Sequence, residues 1–432
     1  MLKGRKLWFL TLLVGFMMVL AACTSSGGSD GGSSDGGNSN GSDSSGGSGE
    51  VPGVTDDEIL VGHVSAQTGP QAIYGQLAQG IQAYFDYVNE NGGVHGRQLK
   101  LIAYDGEYTP SVHLQQVQRL IEEDGVFAMV SNSCTPCNTA AQEYFNSLDR
   151  DIVALMTGSG AEHLVNPIND IYLGSSIANY RIETKVFYDF AVNELGAEKI
   201  AIVYQNDDYG LEGFEAVQEV KDQYDAEIVA EVPTNASDED FTTHAQKVRE
   251  SGADTVIMLS TPNPASKLKQ EFHAIGLDDV NYIVSAVGGN DLTMYELAGE
   301  EVWEGTYSAG TVPVTDSPDG LENEAIQRYV EIYSEAYPGQ NLSGVPQWGY
   351  GAAEVFVEAI ERAGEDLNYD TFREALYTMD NWDESTYAGV TFNEENHYGL
   401  TSLFMTKAQN GTIEAITGTI TFDPATGDIN YE

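Results

Sequence analysis

The sequence is poor in basic residues. Its 432 residues include 19 lysines and arginines against 67 aspartates and glutamates, which gives a formal net charge of −48. A chain this acidic is repelled by nucleic acid and by anionic lipid surfaces, so neither is an expected partner. The acidic residues are scattered along the chain and do not form a tail. Because salt screens such self-repulsion, the composition predicts a halophilic adaptation.

Cysteine is scarce as well, with only Cys23, Cys134 and Cys137 in the chain. Three cysteines cannot staple a chain of this length, so the fold has to rest on a hydrophobic core. The seven histidines form no pair at the spacing of a metal site, and no G-x-S-x-G turn follows a predicted strand. The sequence therefore predicts a protein that is not an enzyme and needs no metal or other cofactor.

The amino terminus has the pattern of an export signal. Lys3, Arg5 and Lys6 precede an uncharged run over residues 7–20, which is too short to span a bilayer comfortably. Small residues then lead into Cys23, a segment that resembles the lipobox of bacterial lipoproteins. That resemblance implies a signal peptide over 1–22 and a lipid on the Cys23 thiol. An ordinary secretory signal with an incidental cysteine is the alternative.

Residues 24–50 consist almost entirely of Ser, Gly, Asp and Asn. Such a composition cannot form a core and behaves as a flexible tether. A tether directly after a lipidated cysteine suits a protein held at a membrane surface. We therefore expect the chain to be exported and lipid-anchored to the outer face of the cytoplasmic membrane, with residues 23–50 as its anchor and tether.

From residue 51 onward, short β-rich runs alternate with amphipathic helical stretches. This alternation predicts an α/β fold with parallel, doubly wound, Rossmann-like sheets. A second unit of the same kind begins near residue 181, so two lobes with a ligand cleft between them are expected. The predicted strands cover 59–65, 98–104, 127–131 and 152–156 in the first unit, and 200–204, 227–232, 255–259 and 282–284 in the second. After residue 302 periodicity alone does not assign the lobes.

Several short segments between residues 59 and 422 carry a family resemblance. They read TGP at 68–70, VNENGGVHGR at 88–97, YD at 104–105, TPCN at 135–138, IAIVYQNDDYG at 200–210 and SGAD at 251–254. In this order and spacing they resemble the leucine-isoleucine-valine-binding family of ABC-transporter substrate-binding proteins. The resemblance implies the type I periplasmic-binding (Venus-flytrap) fold, with three crossovers between the lobes and a hinge that closes on ligand.

The same resemblance implies the function and the domain organisation. The chain would bind a small organic solute, such as a branched-chain amino acid, and deliver it to an ABC permease in the membrane, acting as a monomer. Residues 51–176 and 305–363 would form the first lobe, and residues 177–304 and 364–432 the second. A ligand sensor for a membrane receptor is an alternative, because the same fold is used in that way.

The resemblance leaves the ligand open. Amino-acid binders of this family have an acidic residue after the strand near Ile283, where it pairs with the ligand's ammonium group. Here residues 285–290 read SAVGGN, and no carboxylate occurs before Asp291. An aromatic or other ammonium-free carboxylate is therefore an alternative ligand, with Asp208 as the remaining candidate to pair with an ammonium group.

The expected ligand-binding residues lie in loops that follow strands. Helix N–H groups and the side chains of Thr135 and Asn138 can hold a carboxylate, although helix capping would also explain these two residues. For the Gly-rich loop after residue 156, the resemblance implies contact with the carboxylate. It also implies that the ring of Tyr209 packs against the ligand, with a half-buried surface tyrosine as the alternative. The complete predicted set is Tyr74, Thr135, Cys137, Asn138, Thr157, Ser159, Gly160, Tyr180, Asp208, Tyr209, Thr261 and Trp348.

Cys134 and Cys137 form a C-x-x-C motif between a predicted strand and a predicted helix. Thioredoxin-like proteins use this setting to exchange disulfides. The rest of the chain does not resemble that fold, so a thiol-disulfide function is the weaker interpretation. A structural disulfide that rigidifies the loop remains open.

Overall fold

The computed structural model describes residues 51–431. The predicted signal peptide, the lipidation site at Cys23 and the tether lie outside the described residues. Within the described range, no helix combines the length and the apolar character needed to cross a membrane.

The first lobe is built on five parallel strands. In chain order they are β1 (Glu58–Ser65), β2 (Gln98–Asp105), β3 (Ala128–Val130), β4 (Val153–Thr157) and β5 (Tyr172–Ser175). The intervening helices are α1 (Gln76–Glu90), α2 (Pro110–Glu122), α3 (Thr135–Asn146) and α4 (Glu162–Val165). The strands pair in the order β2-β1-β3-β4-β5. Every residue of β3 and β4 is buried, as expected of strands that are covered on both faces.

The second lobe repeats this pattern with five more parallel strands. They are β6 (Lys199–Gln205), β7 (Glu227–Thr234), β8 (Thr255–Leu259), β9 (Asn281–Val284) and β10 (Tyr307–Gly310). The helices are α5 (Tyr180–Asn193), α6 (Asp208–Val220), α7 (Thr242–Ser251), α8 (Pro262–Ala274), α9 (Ala286–Gly289), α10 (Thr293–Ala298) and α11 (Glu300–Trp303). The two predicted α/β units are thus confirmed.

The remaining elements are shared between the lobes. They are α12 (Pro318–Glu322), α13 (Glu324–Ala336), α14 (Gly344–Ala363), α15 (Tyr369–Leu376), β11 (Thr391–Asn393), β12 (Asn396–Gly399), β13 (Ser402–Gln409), β14 (Thr412–Ala415), β15 (Ile420–Phe422) and β16 (Ile429–Tyr431). The second sheet has the order β16-β15-β13-β10-β9-β8-β6-β7, and β14 pairs with β13. β13 runs antiparallel to β10, so an antiparallel extension completes a parallel sheet.

The chain crosses between the lobes three times, after β5, after β10 and after β12. The predicted lobe boundaries need correction on either side of these crossings. β10 pairs with β9 and β13, so residues 307–310 belong to the second lobe and not to the first. α15 packs on α14, and the Tyr369 ring stacks on Phe127 with ring centroids 5.0 Å apart. Residues 364–399 therefore belong to the first lobe, because their apolar side chains complete its core.

Helices α1 and α14 pack closely at two glycines. A Cβ atom on Gly80 would lie 1.9 Å from the Pro346 carbonyl oxygen, and one on Gly349 would lie 2.1 Å from the Leu77 carbonyl oxygen. No Cβ atom fits at such distances, so only glycine allows these two backbones to approach. This contact positions Leu77 on α1 and Trp348 on α14, which both face the cleft.

Candidate ligand-binding site

A buried cavity lies between the two lobes and is lined mainly by aromatic side chains. Its volume is about 20 Å³, room for roughly one water molecule, so the lobes are closed upon it. A ligand with several heavy atoms requires them to move further apart. The lining residues are Tyr74, Leu77, Tyr108, Ser133, Cys134, Thr135, Gly158, Ile177, Tyr180, Tyr209, Val287 and Trp348.

The topology explains why these residues meet. Ser133 follows β3, Gly158 follows β4, Tyr209 follows β6 and Val287 follows β9. The carboxyl ends of parallel strands lie at one edge of each sheet, and the two edges face each other across the cleft. Ile177 belongs to the first crossover and lines the same cavity.

Hydroxyl groups cluster at one end of the cavity. The Thr135 hydroxyl lies 2.8 Å from the Ser159 hydroxyl and 3.1 Å from the Tyr180 hydroxyl. The buried Ser133 hydroxyl has no partner among the described residues. α3 begins at Thr135, so the positive end of its dipole and its first N–H groups face the same region. This end of the cavity is suited to a carboxylate.

Aromatic rings form the rest of the wall. The rings of Tyr180 and Tyr209 lie 4.7 Å apart, and those of Tyr74 and Tyr108 lie 6.2 Å apart. Burial raises the pKa of Tyr74 and of Tyr209 well above the ordinary value, so both phenols stay protonated. Neither hydroxyl has a hydrogen-bond partner in the described part of the chain. The second half of the site therefore offers a large apolar surface with two free polar ends.

No Asp, Glu, Lys or Arg lines the cavity within residues 51–431. A buried carboxylate nevertheless reaches the loop after β9, because Glu183 extends to it from α5. Its two oxygens accept hydrogen bonds from the Ser285 hydroxyl at 2.8 Å and from the Ala286 N–H at 2.7 Å. The acidic group that residues 285–290 lack in sequence is thus supplied from another element. It lies behind the wall and does not line the cavity.

Glu183 makes the stability of the protein depend on pH. Burial raises its pKa from 4.5 to about 7, so between these two pH values the folded state binds more protons at this site than the unfolded state does. We expect Glu183 to lower the free energy of unfolding as the pH rises from about 4.5 to 7, by at most about 3 kcal/mol. Denaturant unfolding at pH 5 and pH 7 measures this slope, which is the change in the free energy of unfolding with pH. Glu183→Gln should reduce the slope, and the same change at the exposed Glu194 should not; equal slopes in both variants would contradict the assignment.

Cys134 and Cys137 form a disulfide at the start of α3. Both residues are buried, whereas disulfide exchange needs an accessible sulfur. Cys134 has a φ of 90°, a conformation that is rare for residues other than glycine. The bridge therefore fixes the shape of a loop in the cavity wall.

Polar contacts outside the cavity also join the lobes. The Gln71 side-chain amide of the first lobe donates to the Thr261 hydroxyl and to the Ala236 carbonyl, both at 3.0 Å. The Glu162 N–H of α4 donates to the Glu212 carboxylate of α6 at 2.6 Å. Because their partners lie on different lobes, these bonds stabilise only the closed arrangement.

Five of the predicted site residues line the cavity. These are Tyr74, Thr135, Tyr180, Tyr209 and Trp348. Their contact with a ligand stays a prediction. The structure places the other seven outside the wall: Cys137, Asn138, Thr157, Ser159, Gly160, Asp208 and Thr261.

The residues outside the wall support it in different ways. Asn138 donates to the carbonyls of Asn132 and Cys134, and Thr157 donates to the Gly174 carbonyl. Thr261 takes part in the contact between the lobes described above.

The other four residues also support the wall or face away from it. Cys137 forms the disulfide, Ser159 bonds Thr135, and the Gly160 carbonyl accepts the Tyr180 N–H at 3.0 Å. Asp208 instead lines an exposed groove beside His163 and Arg181, because its position in the first turn of α6 turns it away from the cleft.

Sequence reasoning missed several wall residues. Leu77, Tyr108, Ile177 and Val287 have no distinctive motif, and their hydrophobicity looks like that of any core residue. Tyr108 does follow β2 by three residues. A rule that takes every aromatic residue after a strand of a parallel sheet as a site candidate would have found it.

The sequence matches a known family along most of its length. The model of a family described as periplasmic binding protein matches residues 58–412. An amino acid binding protein of Pseudomonas aeruginosa is 24% identical over 225 residues, which cover 51% of this chain and 58% of that relative. A Leu/Ile/Val-binding protein homolog of Brucella melitensis is 21% identical over 360 residues, covering 82% of this chain and 93% of the relative.

Solved structures share the fold at low sequence identity. A fatty acid ABC transporter substrate-binding protein from Thermomonospora curvata superposes with a TM-score of 0.74 at 21% identity, over 87% of this chain and 96% of that one. The branched-chain amino acid transporter substrate binding protein LivJ from Streptococcus pneumoniae, in complex with isoleucine, gives 0.71 at 19% identity over 83% and 98%. The first is named for fatty acid transport and the second is in complex with isoleucine, so the likeness shows the fold alone.

Proposed function

The chain belongs to the periplasmic binding protein family, and from this membership we propose that it is the substrate-binding component of an ABC importer. It holds a small organic carboxylate in the cleft between its lobes, outside the cytoplasmic membrane, with a lipid on Cys23 as its anchor. The observation that carries the proposal is the cavity itself, which has hydroxyl groups and a helix N-terminus at one end and aromatic rings at the other.

The polar end supports a carboxylate as the group that is recognised. The hydroxyls of Ser133 and Thr135 line this end, Ser159 holds the Thr135 hydroxyl from behind the wall, and the start of α3 adds a favourable dipole. Neutral donors of this kind hold an anion without a basic side chain. Such a site suits a chain that has few lysines and arginines.

The remainder of the wall supports a ligand body that carries no N–H donors. The three N–H groups of a primary ammonium need acceptors, and a buried cation is costly without them. A branched-chain amino acid is the second candidate, which is favoured by the names of the relatives and by the approach of Glu183 to residues 285–286. For such a ligand Glu183, and not Asp208, would be the ammonium partner.

Closure couples binding to delivery. The ligand enters between separated lobes, the loops after β3 and β4 hold its carboxylate, and the second lobe brings Tyr180, Tyr209 and Val287 against its body. A ligand favours closure only through contacts that improve in the closed form. The bonds between the lobes from Gln71 and Glu162 add to that form, which the permease then recognises.

A thermal-shift panel tests the proposal. The purified protein is heated in high salt with branched-chain amino acids, other amino acids and small carboxylates such as benzoate, since a ligand that binds only the folded state raises the melting temperature. We expect a shift with a carboxylate that lacks a primary ammonium. A shift with leucine, isoleucine or valine alone would select the second candidate, and no shift with any member of the panel would reject the proposed function.

A further inference from the structure

Three carboxylates lie directly behind the cavity wall. Glu183 and Asp291 are each 1% exposed, and Asp207 is partly buried. None of the three lies within ion-pair distance of a basic group in the described residues. Burial raises the pKa of each carboxyl, that of Glu183 to about 7. Three acidic groups without a cation thus surround one site.

Each carboxylate is attached to a segment of the wall by hydrogen bonds. Asp207 accepts the N–H of Tyr209 itself at 3.1 Å. Asp291 accepts the N–H groups of Gly344 and Val345 at 3.0 and 3.3 Å, one turn before Trp348 on α14. Glu183 accepts the N–H of Ala286, the neighbour of Val287. Above pH 7, where Glu183 is mostly ionised, these carboxylates place negative charge behind the parts of the aromatic wall that both lobes contribute.

This arrangement favours a cation that has no N–H groups. The face of an aromatic ring is electron-rich and attracts cations, and five such residues line the cavity. Charges act over longer distances in a low-dielectric interior, so the three carboxylates strengthen that attraction without touching the ligand. A primary ammonium has three N–H donors, more than the two unpaired hydroxyls among these rings, those of Tyr74 and Tyr209, can accept singly. A methylated ammonium has no such donors.

We propose that the ligand is a compact zwitterion of the betaine type, with its carboxylate at the hydroxyl end and a quaternary ammonium among the aromatic rings. The inference rests on the proposed function and narrows its ligand class. Being neutral overall, a zwitterion also escapes the repulsion that this acidic chain exerts on a plain anion.

Pairs of ligands with one shape and different charge test the inference. Titration calorimetry of the purified protein compares glycine betaine with 3,3-dimethylbutanoate, and 4-trimethylammoniobutanoate with 5,5-dimethylhexanoate. Carbon replaces the charged nitrogen within each pair. We expect the cationic member of at least one pair to bind about tenfold more tightly than its carbon analogue. Equal or tighter binding of the carbon analogues, or binding of isoleucine or benzoate without either betaine, would overturn the inference and leave the proposed function standing. Failure of all these ligands to bind would reject both.

A variant tests the part played by the charges behind the wall. Glu183→Gln keeps the size of the side chain and an acceptor for the Ala286 N–H while removing the charge. At about pH 8, where Glu183 is ionised in the unsubstituted protein, we expect the variant to bind the betaine several-fold more weakly and the carbon analogue equally well. The analogue thus controls for any shift of the loop. An unchanged ratio of the two affinities in both Glu183→Gln and Asp207→Asn would contradict the electrostatic part of the inference.

Discussion

Replacing Tyr209 with alanine should weaken ligand binding by roughly tenfold or more, because a buried ring contributes on the order of 1.5 kcal/mol to such a contact. Tyr209 is 2% exposed, lines the cavity and lies against the Tyr180 ring. It lies on α6 of the second lobe, so under the proposed mechanism it meets the ligand as the lobes close. The loss should therefore appear both in the affinity for ligand and in the population of the closed form, which calorimetry and small-angle scattering measure.

Because Tyr209 is a core residue as well, its loss also lowers stability, and a control has to separate the two effects. Phe214 lies on the same helix, stacks on Tyr204 with ring centroids 4.5 Å apart and does not line the cavity. Phe214→Ala should lower the melting temperature while the affinity at a temperature below unfolding stays the same. If the two variants bound ligand equally well, Tyr209 would not be part of the site.

Replacing Gly349 with alanine should destabilise the protein by about 2 kcal/mol, since overpacking a tight contact typically costs about 1–3 kcal/mol. The new Cβ atom would lie 2.1 Å from a backbone oxygen of α1, so the two helices have to move apart. Helix propensity predicts the opposite sign, because alanine is about 1 kcal/mol better than glycine inside a helix. Denaturant unfolding measures the change in the free energy of unfolding. A decrease shows that overpacking dominates, and an increase shows that helix propensity dominates.

The substitution should affect ligand binding too, because Leu77 and Trp348 flank the contact between the two helices and line the cavity. Gly80→Ala tests the partner side of this contact and should give a loss of similar size. Glu361→Ala, at an exposed position of α14, controls for the change in helix composition and should alter stability little. Stabilisation in both glycine variants would show that the helices are not held at this separation.

Much of the fold follows from the sequence pattern, and the exceptions have identifiable causes. The sequence pattern predicts a helix over 138–148, but α3 begins at Thr135, because a proline in the first turn suits the start of a helix. The periodicity of the sequence predicts a helix over 351–363, but α14 begins seven residues earlier at Gly344, because Asp291 accepts the first N–H groups of the helix from outside it. Residues 344–350 are all buried, so this first part of the helix has no exposed polar face that would reveal it.

Part of the site was also predictable, because the order of strands and helices along the sequence determines which loops lie at the cleft. Thr135, Tyr180 and Tyr209 lie at or just after the ends of strands, and sequence order places such loops at the cleft. Asp207 and Asp208 are neighbours in sequence, but the first caps α6 beside the cavity and the second faces an exposed groove. The direction of a side chain at a helix start depends on the turn that precedes it, which periodicity does not report.

The sequence by itself determined the two α/β units, the family resemblance and the loops that meet at the cleft, because local hydrophobic spacing and turn residues report which segments become strands and helices. Only the tertiary structure decided that β10 joins the second sheet, that α15 completes the first lobe, and that Glu183 supplies a carboxylate to residues 285–286. Those outcomes depend on which distant surfaces bury each other. The free energy of that burial depends on two segments that are distant in sequence. The residues of one segment alone therefore do not determine which other segment it packs against.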